Sequence, residues 1–100
     1  MADLNMILCL LLLFKTGNGS QAIPVRRGNY LIGHASICDP RLRNPSVSRL
    51  YACLRSAKGL RFIQDQRSVS GTCVNVQRII STRLYNNDRI QIGGLLFRFT

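Results

Sequence analysis

Of the side chains able to do chemistry, the chain offers one histidine, four aspartates, four cysteines and a surplus of arginine. His34 stands without the nucleophile and orienting partner that a catalytic triad requires. Asp3, Asp39, Asp65 and Asp88 are scattered, and three of them sit at turns, where a carboxylate commonly bonds its local backbone. Cys9, Cys38, Cys53 and Cys73 are not at the short spacings of a zinc site. No glycine cluster opens a helix, as a phosphate-cradling loop would. These patterns argue against an enzyme and give no reason to expect a metal or a cofactor. The arginines are different. Twelve Arg and two Lys stand against the four acids, a formal charge of +10. Such an excess favours anionic partners: nucleic acid, a membrane surface or a phosphorylated protein. The planar guanidinium fork suits phosphate better than a lysine point charge does, so the bias leans toward phosphate contact.

The elements that must position these residues are short strands. No long stretch carries capped apolar residues at a 3.6-residue period. Short alternating or apolar runs are instead separated by Gly, Pro, Asn, Asp and Ser clusters. Met6–Lys15, Gln21–Val25 and Tyr30–Gly33 read as the first three strands, with Thr16–Ser20 and Arg26–Asn29 as turns. His34–Val47 reads as a long loop with a brief strand near Leu42. Tyr51–Ser56 and Leu60–Asp65 form a hairpin across Ala57-Lys58-Gly59, and Gln66–Thr72 is a polar loop. Cys73–Val76, Gln77–Ile80, Arg89–Ile92 and Leu95–Phe99 complete the set. Roughly ten strands at this spacing predict an all-β sandwich or barrel, one domain over residues 1–100.

Met6 to Phe14 has the length of a signal-peptide core, yet Asp3 precedes it and no Lys or Arg does. It is too short for a membrane-spanning helix. The signal-peptide reading is therefore rejected for residues 6–14, and no membrane contact is expected. Cys9 and Cys53 lie in apolar runs, where a free thiol behaves as a small hydrophobe, so reduced cysteines are expected.

Five pieces follow one another along the chain: Gly33-His34; Cys38-Asp39; Ser46-Val47-Ser48-Arg49-Leu50-Tyr51-Ala52; Asp65-Gln66-Arg67-Ser68-Val69-Ser70-Gly71-Thr72-Cys73-Val74-Asn75; and Leu84-Tyr85-Asn86-Asn87-Asp88-Arg89-Ile90-Gln91-Ile92-Gly93. In this order they resemble the forkhead-associated (FHA) domain pattern. That pattern reads Gly-Arg, Cys-Asp, Ser-x-x-His-Ala, Asp-x-x-Ser-x-Asn-Gly-Thr-x-Val-Asn and Leu-x-x-Gly-Asp-x-Ile-x-Ile-Gly. The resemblance implies an eleven-stranded β-sandwich with the first strand beside the last and the recognition loops at one end. It also implies phosphothreonine recognition. By position, His34 replaces an arginine that contacts phosphate or neighbouring backbone. Ser48 is the retained phosphate-binding serine, and Arg49 is a frequent second ligand. Val69 replaces a threonine ligand, and Ser70 replaces an asparagine that grips the peptide. Gly33, Tyr51, Gly71 and Thr72 fall at positions that support the loops, with Tyr51 in place of the bracing histidine.

The scaffold matches the pattern better than the pocket does. The expectation is therefore a protein-interaction module with a degenerate phosphothreonine pocket that also self-associates as a homodimer. The domain layout resembles that of nuclear DNA-damage adaptors, which implies a nuclear location and a longer host protein. Two other readings stay open. One is a functional phosphothreonine reader using Ser48 and Arg49. The other is a small basic nucleic-acid-binding β-domain, although aromatics interleaved with basic residues are not visible in the sequence.

Overall fold

Burial alternates along the chain with a period of two. Ile90 and Ile92 are fully buried while Arg89 and Gln91 are exposed, and Phe97 and Phe99 are buried on either side of half-buried Arg98. Such alternation fixes which face of each strand turns inward. The computed structural model describes residues 8–13, 21–25, 28–39 and 41–100, and it forms ten strands among them. They are β1 (Leu8–Leu13), β2 (Gln21–Val25), β3 (Asn29–Ile32), β4 (Ala52–Ala57) and β5 (Leu60–Asp65). The rest are β6 (Thr72–Val74), β7 (Gln77–Ile79), β8 (Ser81–Arg83), β9 (Arg89–Ile92) and β10 (Leu95–Phe99).

Two antiparallel sheets result, a six-stranded one in the order β2-β1-β10-β9-β6-β7 and a four-stranded one in the order β3-β4-β5-β8. The smaller sheet sends Ile32, Leu54 and Ile63 into the core, and the larger one sends Ile90, Ile92 and Phe97. Each side chain of this size contributes roughly 1.5–3 kcal/mol on burial. Tyr51, Val74 and Leu84 pack into the same cluster. Strand spacing left a sandwich or a barrel open, and the sandwich implied by the resemblance is the architecture observed, with ten strands among the described residues where the resemblance implies eleven.

The two ends of the chain meet as expected. β1 lies antiparallel to β10, with Leu10 opposite Phe99 and Leu13 opposite Leu96. Met6, Ile7, Phe14 and Lys15, also assigned to that strand, lie outside the described residues, as does the Thr16–Ser20 turn. The other side of β1 is covered by β2, with Leu8 opposite Val25. β1 is thus an interior strand, and an unguarded β1 edge gives no basis for self-association.

Three local differences from the sequence reading have physical causes. Near Leu42 there is a single parallel bridge between Gly33 and Arg41, not a strand. β8 was not anticipated; it is three residues long and holds to β5 through Phe62 opposite Arg83 and Gln64 opposite Ser81. Asn75 and Val76 form a tight turn with φ of 51° and 75°, where the sequence reads as strand up to Val76. The β4–β5 hairpin turns on Lys58 and Gly59, with φ of 52° and 79°. Two positive angles give the turn whose twist matches the flanking strands. Among the described residues no helix is long and apolar enough to cross a membrane, and no group of three His, Cys, Asp or Glu could hold a metal.

Candidate functional site

The site is built where β3 ends. Gly33 has no side chain because none fits: a Cβ there would overlap the backbone carbonyl of Arg49. That close approach lets two loops zip together by backbone bonds. The His34 N–H donates to the Ser48 carbonyl at 3.0 Å, and the Ala35 N–H donates to the Arg49 carbonyl at 3.0 Å. The Cys38 thiol also donates to the Arg49 carbonyl, at 3.3 Å. Burial pushes the Cys38 thiol above its ordinary pKa, partly offset by its backbone bond to Ala35 and the nearby Arg41 charge. This thiol is held as a neutral donor.

A second loop, Gln66–Gly71, is organised by the Asp65 carboxylate. Asp65 Oδ1 accepts from Ser68 Oγ at 2.6 Å and from Thr72 Oγ1 at 2.7 Å, while Oδ2 accepts from the Ser68 N–H at 3.2 Å. Ser68 Oγ in turn accepts from the Gly71 N–H at 2.9 Å. Gly71 has a φ of 86°, which an L side chain rarely adopts. Tyr51, fully buried, joins this loop to the β9–β10 turn. Its hydroxyl donates to the Gly71 carbonyl at 2.6 Å and accepts from the Gly93 N–H at 2.8 Å. Ser46 adds a second tie, its Oγ accepting from the Gly94 N–H at 2.8 Å.

The anticipated residues fall into two groups. Gly33, Tyr51, Gly71 and Thr72 hold the loops from within. His34, Ser48, Arg49, Val69 and Ser70 lie on the loops themselves. His34 and Arg49 line one depression of about 290 Å³, together with Ala35, Ser36 and Arg41. Ser48 lies outside that lining. Its Oγ accepts from the Val69 N–H at 3.4 Å, which links the two loops. Val69 is 89% exposed and has no side-chain donor, and Ser70 is exposed as well.

Sequence reasoning did not single out Asp65, Ser68 or Arg41. The first two carry a legible signal, since Asp, Ser and Thr at positions 65, 68 and 72 suit one carboxylate receiving two hydroxyls. Arg41 carries none, because in sequence it is one arginine among twelve. Its place is set by the bridge to Gly33 and by a bond from its Nε to the His34 carbonyl at 2.9 Å. Among the described residues, neither Arg41 nor Arg49 is paired with an acid. The depression is therefore cationic, open and suited to an anion with several acceptor oxygens.

Comparison with known proteins agrees with this geometry. The FHA domain family model matches residues 30–93. No curated protein matches the chain. The chain is similar to an FHA domain from a study of phosphothreonine-dependent FHA domain interactions, at 26% identity and a TM-score of 0.83, covering 93% of this chain and 94% of that one. It is similar to the FhaA FHA domain complexed with the intracellular domain of Rv3910, again at 26% and 0.83, covering 93% of this chain and 99% of that one. It is also similar to the yeast Dun1 FHA domain, solved with a doubly phosphorylated peptide derived from Rad53, at 25% and 0.76, covering 94% and 73%.

Proposed function

Because the chain belongs to the FHA-domain family, we propose that it is a non-catalytic protein-interaction module that recognises phosphothreonine-bearing segments. One observation carries this reading: two guanidiniums without acidic partners among the described residues, from Arg41 and Arg49, line the same depression at the loop end of the sandwich. The pocket is degenerate in its grip on the peptide. Val69 and Ser70 offer little to the main chain of a ligand, and two missing neutral hydrogen bonds cost about 1 kcal/mol each, together roughly 30-fold in affinity. Titration of matched phosphothreonine, phosphoserine and unphosphorylated peptides tests the reading. Weak binding that requires the phosphate is expected; equal affinity for phosphorylated and unphosphorylated peptides overturns it.

The proposal extends to a nuclear signalling adaptor that self-associates. Support for the nuclear setting is the family resemblance alone, and imaging of the tagged protein before and after DNA damage tests it. Of the four edge strands, β7 and β8 are three residues long and carry Arg78 and Arg83, which discourage edge-to-edge contact there, so pairing would use a sheet face or the longer β2 and β3 edges. Sedimentation showing only monomer at about 100 μM, a concentration at which weak pairs appear, removes this part.

A specific observation favours a second reading, nucleic-acid binding. Across β4, β5 and β8 the register sets Arg55, Phe62 and Arg83 side by side, and the Arg83 guanidinium lies 4.6 Å from the Tyr85 ring centroid. This interleaving of cations and rings is what single strands stack upon, and the fold, not the sequence order, creates it. Binding of a labelled single-stranded oligonucleotide that falls steeply with salt and is lost in an Arg55→Gln, Arg83→Gln double variant is the expected sign. No binding at low salt removes the reading.

A further inference from the structure

Replacement of arginine by histidine at position 34 suggests a pocket short of one permanent charge. The structure offers a substitute. Arg41 follows the turn after His34, and its Nε donates to the His34 carbonyl at 2.9 Å. The Leu42 N–H donates to the Gly33 carbonyl at 2.7 Å, which pins the backbone on the other side. A guanidinium has five N–H donors in a rigid plane. One is spent on orientation, and the four on the terminal nitrogens have no partner among the described residues. A neutral carbonyl and not a carboxylate fixes the group, so no acid among the described residues offsets its charge. Arg49 lines the same depression, also without an acidic partner among the described residues.

We propose that Arg41 is the principal phosphate-binding cation of this pocket, acting with Arg49, and that His34 serves it through its backbone carbonyl and not through its imidazole. A phosphate monoester carries about −1.5 to −2 charge at pH 7 with three acceptor oxygens, which matches two guanidinium forks. A carboxylate, with one charge and two oxygens, matches only one. The inference rests on the phosphopeptide reading above and deepens it by naming the group that supplies the charge.

Two measurements separate the inference from that reading. The first is the affinity of the folded domain for a phosphothreonine peptide pool with randomised flanks. Arg41→Gln should weaken binding by at least about tenfold, the loss of one charged hydrogen bond. His34→Ala should change it by less than about threefold. Arg41→Lys, which keeps the charge without the fork, should fall between and serves if the glutamine variant does not fold. The second follows the Arg Nε–Hε signals of the parent domain during titration with inorganic phosphate. Signals of Arg41 and Arg49 should shift together and saturate. Phosphate-dependent peptide binding that is untouched in Arg41→Gln, or in Arg41→Lys and Arg41→Ala where glutamine fails to fold, overturns the inference and leaves the reading standing. Saturable shifts at both arginines with no preference for phosphorylated peptides support the inference and sink the reading. No response of Arg41 to phosphate overturns the inference.

Discussion

Tyr51 shows how one side chain can serve both the core and the recognition loops. Its ring fills the space between the sheets, and its hydroxyl reaches Gly71 on one loop and Gly93 on another. Tyr51→Phe keeps the ring and leaves a buried carbonyl and an N–H without their partner. The expected cost is about 1–3 kcal/mol of stability in urea denaturation, with weaker phosphopeptide binding as the loops loosen. Tyr51→Phe with unchanged stability and affinity would show that the hydroxyl braces nothing. Cysteine ionisation supplies a second test at this scale. Burial pushes the thiols of both Cys38 and Cys53 above their ordinary pKa, against the opposing pull of Arg41 and Arg55. The unfolded chain therefore loses these protons at lower pH than the folded one. The stabilising contribution is complete below the ordinary thiol value of about 8.5, and it is lost as pH rises through the higher folded value. The parent should lose stability between pH 8 and 10 more steeply than a Cys38→Ala, Cys53→Ala variant, as read from denaturation midpoints.

At the scale of elements, the β6–β7 hairpin carries a misfit. Its turn needs positive φ at both central positions, which favours Asn followed by Gly. Asn75 obliges, but Val76 is β-branched at a φ of 75° and is 95% exposed, so nothing packs against its side chain in return. A left-handed conformation costs an L residue roughly 1–2 kcal/mol. Val76→Gly should raise stability by about 1 kcal/mol, equivalent to roughly 4–8 °C in Tm for a domain of this size, without altering peptide binding. Calorimetry showing no gain would mean that the strain is relieved elsewhere. The same misfit explains why this turn was hidden in the sequence while the Lys58-Gly59 turn was plain. Most strands were legible because alternation and turn residues agree. β8 was not, since Ser81-Thr82-Arg83 has no apolar alternation and is held by pairing with β5.

On the scale of the whole molecule, the candidate site was legible only where a motif fixed it. Gly33, Tyr51, Gly71 and Thr72 could be placed in order, whereas Arg41 becomes distinctive only after Gly33 and Arg49 have been brought together. The most non-local feature was legible nonetheless, because an apolar run at each end of the chain needs cover. β1 lies between β2 and β10 in the six-stranded sheet. Removing residues 1–14 would leave β2 without a partner and open a full edge of β10, the strand that carries the buried Phe97 and Phe99. An exposed edge beside apolar residues is a template for association between chains. Pairing between the two ends also closes the longest loop in the fold, so no local contact substitutes for it. The truncated chain should therefore lose its cooperative thermal transition and collect in the insoluble fraction, while the parent melts in a single step. A soluble truncated domain that still unfolds cooperatively, with the Phe97 and Phe99 rings ordered by NMR, would show that the four-stranded sheet and β9–β10 close the core without the first strand.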